Sequence, residues 1–247
     1  MKRHLLPFLL LLLPFAVRAL DGQALAAYRE NRFDEVQQIL EGKNATDDRL
    51  LSCLAYREQF ALYKNKDHRA RADALSKILA VDLRFADIPT LLSLGNLENK
   101  PHGNREAVDL LGTVLKAPLS TGQTREVSAL LAHPDAGVPA RKEFLGALYR
   151  HTRNVRAYVR GGGRMPEDVK KLFEETTFLD PVVDALAVKE LKSIALDVLE
   201  EVEEPSLAVL EARPSSTEVL EALAEVKGEV SRRQTKTPNA TWYSAYP

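Results

Sequence analysis

The chain has 247 residues, of which 45% are hydrophobic and 28% charged, and this composition is typical of a globular protein rather than a disordered one. Its formal net charge of −1 excludes the clearly basic chain that general nucleic-acid binding requires, so we expect no nucleic-acid partner. The single cysteine, Cys53, excludes an internal disulfide, and its place in a helical apolar pattern predicts a buried side chain.

Residues 1–19 have the three parts of a secretion signal. Lys2 and Arg3 make the start basic, residues 5–17 carry no charge, and Ala19 offers the small residue that precedes a cleavage site. We therefore expect a cleaved signal peptide and a periplasmic or secreted protein, and the absence of disulfides favours a bacterial periplasm. An uncleaved anchor stays open, although the apolar stretch is shorter than the ~20 residues that span a bilayer.

After residue 19, apolar residues recur at spacings of three and four along most of the chain. The clearest of these helical stripes consists of Leu191, Ile194, Ala195, Val198, Leu199 and Val202. No run of period-two alternation predicts a strand, and the breaks between stripes are short. The sequence therefore predicts an all-α fold, with antiparallel helical hairpins stacked as an irregular α-solenoid.

Three consecutive glycines at 161–163 predict a joint in this array. Each glycine disfavours a helix by about 1 kcal/mol relative to alanine, so a helix through the run is unfavourable. We predict a helical-repeat unit over residues 20–160 and a smaller helical unit over residues 165–233. Residues 234–247 carry no apolar stripe and are predicted to form a flexible C-terminal tail.

Two segments resemble known α-solenoid repeats. Residues 124–150 resemble a HEAT-type repeat, because within residues 130–138 a leucine pair, a Pro-Asp turn and a valine follow one another. Residues 24–80 are similar to the helix pairs of tetratricopeptide proteins at Ala26, Ala27, Tyr28, Phe33, Asp34 and Glu35. Both families bind proteins along a concave face, so the resemblance implies a protein partner of unknown identity.

The most unusual feature is the basic segment 141–164, whose only acid is Glu143. Five arginines within it form what we call the basic stripe: Arg150, Arg153, Arg156, Arg160 and Arg164. The last four are spaced to share one side of a helix, where they could bind a polyanion, anionic lipid headgroups or an acidic protein surface. Two alternatives stay open, a solvated face and internal pairing with Asp197, Glu200, Glu201, Glu203 or Glu204.

The residues that could carry chemistry are scattered along the chain. His68, His102, His133 and His151 show no metal-ligand spacing, and neighbouring glutamates such as Glu174-Glu175 do not face one another on a helix. We therefore expect no catalytic residues, no metal and no cofactor. An enzyme whose site assembles from distant residues stays open.

The last six residues are rich in aromatic side chains. Trp242, Tyr243 and Tyr246 are candidate anchors at an interface, unless the tail packs back onto its own helices. Taken with the predicted signal and helical hairpins, the sequence predicts a non-enzymatic periplasmic helical-repeat adaptor or scaffold that binds another protein. The alternative is a module that binds anionic lipid or polymer through the basic segment 141–164.

Overall fold

A computed structural model of the chain describes residues 20–213 and 216–236. Over these residues it contains thirteen α-helices, two short 3-10 turns and no strand. The prediction of an all-α fold is therefore confirmed, while the solenoid arrangement stays a prediction. The predicted signal peptide 1–19 and the predicted tail anchors Trp242, Tyr243 and Tyr246 lie outside the described residues.

The contacts within the chain divide it into two compact units, Met1–Leu110 and Leu111–Pro247. This division differs from the one that the glycine run at 161–163 predicts. The reason is that the helix before the glycines, Val138–Arg160, packs against a helix that follows them, Lys192–Val202, so both belong to one unit.

Unit 1 consists of helices joined by short turns: α1 (Gly22–Arg29), α2 (Phe33–Leu40), α3 (Thr46–Tyr63), α4 (Lys66–Asp82), α5 (Ile88–Gly95) and the larger part of α6 (Pro101–Val114). Only Lys64 and Asn65 separate α3 from α4. Lys64 adopts a left-handed backbone that ends α3, and the Asn65 side chain accepts a hydrogen bond from the Asp67 N–H at the start of α4. The two helices pack along each other as an antiparallel hairpin.

The core of unit 1 joins α1 and the turn after it to the start of α6. Tyr28 and Cys53 are fully buried, the latter as the sequence predicts. Lys100 is also buried, and its ammonium group donates to the Arg29 carbonyl at 3.1 Å and to Asn31 Oδ1 at 2.8 Å. Glu58 Oε1 accepts the Gly103 N–H at 2.7 Å, so a buried carboxylate binds the positive end of α6.

Unit 2 contains the remaining helices: α7 (Thr121–Leu130), α8 (Val138–Arg160), α9 (Glu167–Glu175), α10 (Asp180–Ala185), α11 (Lys192–Val202), α12 (Glu204–Glu211) and α13 (Thr217–Lys236). The long helix α8 packs against α7 and α11, and α13 packs against α11 and α12. Helix α13 continues through Lys236, so the segment that the sequence assigns to the tail begins as helix.

The glycine run ends α8 with an ordered cap. Gly162 has φ +89°, a left-handed conformation that glycine adopts without steric cost. Its N–H donates to the Val159 carbonyl at 3.0 Å, and the Gly163 N–H donates to the Tyr158 carbonyl at 3.0 Å. This pair of bonds is the Schellman pattern that terminates helices. A Cβ atom on Gly163 would lie only 2.4 Å from the Tyr158 ring, so glycine also permits this close packing.

Candidate functional site

The structure separates the five arginines of the basic stripe. Helix α8 carries Arg150, Arg153, Arg156 and Arg160 and ends at Arg160, so Arg164 lies beyond the glycine cap. The single line on one helix that the spacing predicts is therefore interrupted before Arg164. The four arginines on α8 also differ in their surroundings.

Arg156 and Arg160 face acids at the junction of α11 and α12. Arg156 Nη1 lies 2.6 Å from Glu201 Oε2 and 3.5 Å from Glu203 Oε1, and Arg160 Nη2 lies 3.5 Å from Glu203 Oε1. The side chains of Arg156 and Glu203 are only 12% and 4% exposed. Arg156 is thus committed to an internal partner, and the paired Arg160 is less available to an external anion than the sequence predicts.

A third arginine, from the end of α13, completes what we call the buried ion cluster: Arg156, Arg233, Glu201 and Glu203, with the exposed Arg160 at its edge. Arg233 Nη1 donates to Glu203 Oε1 at 2.7 Å and to the Glu200 carbonyl at 2.9 Å. Arg233 also pairs with Glu229 on its own helix. Arg233 has no distinctive signal in the sequence, because its spacing of four from Glu229 predicts only an ordinary pair on a helix surface.

The backbone at Glu203 is unusual. Its φ of 63° and ψ of −120° lie in a region that side-chain-bearing residues rarely adopt, at a cost of about 1–3 kcal/mol. Glu203 is the one residue between α11 and α12, so this conformation makes the turn that separates the two helices. The ion pairs with Arg156, Arg160 and Arg233 hold the Glu203 carboxylate inside the fold and help to offset that strain.

Burial also changes the proton affinity of the acids in this region. It raises the pKa of Glu203 to about 7, against the opposing effect of Arg156. Burial likewise raises the pKa values of Glu201 and Glu200 above their ordinary range. Burial therefore opposes the charged form of Glu203, which the neighbouring arginines favour.

This shift predicts a pH-dependent stability. An acid with a raised pKa in the folded state holds its proton more tightly there, so the free energy of unfolding falls as pH rises from about 4.5 to about 7. His151 has a lowered pKa and works in the opposite direction, so wild type must be compared with a variant. In urea unfolding, we expect wild type to lose stability relative to Glu203→Gln as the pH rises from about 5 to about 8. Parallel pH profiles for the two proteins would contradict this.

Arg150, Arg153 and Arg164 remain exposed, and among the described residues no ion pair involves them. The Arg153 guanidinium lies 5.9 Å from the centre of the Tyr149 ring, and Arg150 Nη2 donates to the Leu115 carbonyl at 3.2 Å. Three of the five predicted binding arginines thus remain open to an external partner.

A second surface of interest lies on unit 1. Four exposed residues, spaced by four, four and three along α4, form what we call the α4 apolar face: Ala70, Ala74, Ile78 and Val81. Val81 is 69% exposed, and Leu62 and Tyr63 at the end of α3 are each 61% exposed. The other side of α4 carries Ala72 and Leu79, which are fully buried. Helix α4 therefore has one apolar side in the core and another that no described residue covers.

A groove adjoins the α4 apolar face. It has a cavity volume of about 500 Å³ and is lined by α2, α3 and α4, including Gln37, Tyr56 and Ala74. Ala74 belongs to both surfaces, so the groove and the apolar face are continuous. This region has no clear signal in the sequence, because alanines lie on both sides of α4 and do not indicate which side packs inward.

Comparison with known proteins gives no match to a protein-family model, a curated protein or a solved structure. The HEAT-like and tetratricopeptide-like resemblances therefore stay predictions. Within residues 20–213 and 216–236, no group of three histidine, cysteine, aspartate or glutamate residues is placed to hold a metal ion. None of the helices described is long and apolar enough to cross a membrane.

Proposed function

We propose that the chain is a non-enzymatic helical adaptor or scaffold that binds another protein through the α3–α4 hairpin. The observation that carries this proposal is the number of exposed apolar side chains on this hairpin. Of the six large hydrophobic residues that are exposed in the described part of the chain, four lie on this hairpin: Leu62, Tyr63, Ile78 and Val81. The line of apolar residues along α4 is the contiguous part of this surface, and contiguous exposed apolar surface is typical of interaction sites.

The arrangement also fits a particular mode of recognition. The spacing of Ala70, Ala74, Ile78 and Val81 gives a straight apolar line along a helix, and two small alanines allow a second backbone to come close. The adjoining groove at Tyr56 and Ala74 could take side chains from the same partner. An amphipathic helix of the partner is the simplest segment that fits both features.

The alternative function, binding of anionic lipid or polymer through the basic segment 141–164, rests on Arg150, Arg153 and Arg164. We place it second because Arg156 and Arg160 already pair with Glu201 and Glu203 of the same chain. Such binding would weaken steeply with added salt, because exposed charges are screened over about 10 Å at 0.1 M ionic strength. Binding to an apolar face would be much less sensitive to salt.

Affinity capture with surface variants tests the first proposal. The double variant Ile78→Asp and Val81→Asp places charges on the α4 apolar face, and Leu220→Asp is the control because Leu220 is an exposed apolar residue of α13 in unit 2. We expect a partner from the native envelope that wild type and the control retain and that the double variant binds at least about tenfold more weakly. Equal retention by all three proteins would overturn the proposed surface.

We further propose that the chain is exported to the periplasm after cleavage of residues 1–19. The support is the basic start, the uncharged stretch and the small residue Ala19. N-terminal sequencing of the protein from its own host should give a mature chain that begins at or near Leu20. Envelope-located protein that still begins at Met1 would instead support the anchor alternative.

A further inference from the structure

Positive side chains border the α4 apolar face on both sides. Three exposed residues of α4 form this border: Lys66, Arg71 and Lys77. Lys66 and Lys77 each precede a residue of the face by four positions, so they neighbour it along one edge. Arg71 precedes Ile78 by seven positions, about two turns, and neighbours the opposite edge. The ion pairs of the described part of α4 involve none of these three cations, so all of them are open to a partner.

The acids of α4 do not balance this border. Asp73 Oδ1 lies 2.6 Å from Arg57 Nη1, and Asp82 Oδ2 lies 2.8 Å from Arg49 Nη2, so both carboxylates already have cationic partners on α3. The remaining acid, Asp67, lies in the first turn of α4, where the positive end of the helix favours a carboxylate. The unpaired charge along the α4 apolar face is therefore three cations against one acid.

Arg71 is held in position beside the groove that adjoins the face. Its guanidinium donates to Tyr56 Oη at 2.9 Å and lies 5.6 Å from the centre of the Tyr56 ring. Arg71 and Tyr56 both line the groove, and a guanidinium has five N–H donors, so most of them remain available to a carboxylate. The groove also contains Glu41, just after α2, so a partner carboxylate is favoured on the α4 side.

We propose that the partner segment is an amphipathic helix whose apolar side is bordered by aspartate or glutamate residues. This inference rests on the proposed function and adds the charge of the partner to it. Acidic side chains on the two borders of such a helix would meet Lys66 and Lys77 along one edge and Arg71 along the other. Basic side chains at those places would meet like charges, which weakens binding and so selects against basic partners.

A protein helix fits the face better than an anionic membrane, although both carry the negative charge that the cations attract. Half of the face consists of Ala70 and Ala74, which offer little apolar surface to insert between lipids but let a helix backbone come close. Asp67, at the start of the face, would be repelled by anionic headgroups. The concave groove beside the face suits side chains that project from a helix.

Three synthetic helices of equal length test the charge requirement. They share a line of leucine and alanine residues at spacings of three and four, and they carry glutamate, glutamine or lysine along both borders. In fluorescence anisotropy titrations with the chain from Leu20 onward, we expect the glutamate helix to bind about tenfold more tightly than the glutamine helix, and the lysine helix to bind most weakly. At about 0.5 M salt the glutamate and glutamine helices should differ by less than about threefold, because added ions screen the contacts. Equal binding of the glutamate and glutamine helices at low salt would overturn the inference.

Variants of the chain assign the charge effect to this face. The three border cations are replaced together: Lys66→Gln, Arg71→Gln and Lys77→Gln. This triple variant should lose its preference for the glutamate helix and should bind the glutamine helix within about twofold of wild type. The matched control replaces three exposed lysines of unit 2 with glutamine: Lys116, Lys171 and Lys189. The control removes the same charge and should keep the preference, so equal loss in both triple variants would indicate a general charge effect and overturn the inference.

The double variant Ile78→Asp and Val81→Asp separates failure of this inference from failure of the proposed function. If wild type binds the glutamate and glutamine helices equally and the double variant loses both, the face binds a helix and only the charge assignment is wrong. If the double variant still binds the glutamate helix as wild type does, the binding lies elsewhere and both proposals are wrong.

Two further measurements test other occupants of the face. Co-sedimentation with vesicles of phosphatidylglycerol and phosphatidylcholine tests a membrane, and sedimentation velocity of the chain alone tests a second copy. We expect the chain to stay in the supernatant and to sediment as a monomer. Vesicle binding or self-association that the double variant loses would assign the face to that occupant and overturn the inference.

Discussion

Replacing Arg156 with glutamine should lower the free energy of unfolding by about 3–5 kcal/mol, because it removes the nearest cation from the buried carboxylate of Glu201. Arg156 is 12% exposed and lies 2.6 Å from Glu201, whose side chain is 9% exposed. The matched control is Arg153→Gln on the same helix. Arg153 is exposed and forms no described ion pair, so its replacement should change the unfolding free energy by less than about 1 kcal/mol.

Urea unfolding of both variants, followed by circular dichroism, measures this difference. The comparison also decides what the basic stripe does. A recognition surface would tolerate both substitutions and lose partner binding in both, whereas the buried ion cluster makes Arg156 a stability residue and leaves Arg153 free for binding. Equal and small stability changes for the two variants would contradict the internal pairing of Arg156 with Glu201 and Glu203.

Gly103→Ala should destabilise the protein by about 1–3 kcal/mol, because the added methyl group has no room. A Cβ atom at this position in α6 would lie 2.1 Å from Tyr28 Oη and 3.4 Å from Glu58 Oε1. Tyr28 is fully buried and cannot swing into solvent. The Gly103 N–H donates to Glu58, so movement of α6 to relieve the clash would weaken that hydrogen bond.

Gly22→Ala is the matched control in the same unit. Gly22 is the first residue of α1, and no atom lies within 4 Å of a Cβ placed there. Alanine at this position should be neutral or stabilise the fold by up to about 1 kcal/mol, because it restricts the unfolded chain. In thermal unfolding, the midpoint of Gly103→Ala should therefore fall, while that of Gly22→Ala should rise or stay unchanged. An unchanged midpoint for Gly103→Ala would contradict the close packing of Tyr28 on α6.

The period of the apolar residues was sufficient to predict the helices, but not which arginines bind internally. Arg153, Arg156 and Arg160 follow one another at helical spacing, and spacing alone places them within one broad sector. Which of these arginines faces α11 depends on packing between helices that are distant in sequence. The position of Glu203 also depends on a left-handed backbone at a residue other than glycine, which is uncommon and carries no signal in the sequence.

The glycine run is a second case in which the sequence predicts only part of the structure. Its composition predicts a loss of helix, and α8 does end there. The hydrogen bonds of Gly162 and Gly163 to Val159 and Tyr158 depend on the path of the chain after the helix, which composition does not specify. The α4 apolar face was missed for a related reason, since only packing shows that Leu79 faces the core and Val81 does not.

Hydrogen–deuterium exchange of the chain from Leu20 onward, alone and with its captured partner, tests the proposed binding surface most directly. If the partner covers the α4 apolar face, amides between Ala70 and Val81 should exchange more slowly in the complex, while those of α8 from Arg150 to Arg160 should be unchanged. Protection confined to the basic segment 141–164, with α4 unaffected, would contradict the proposed function and support the anionic-surface alternative.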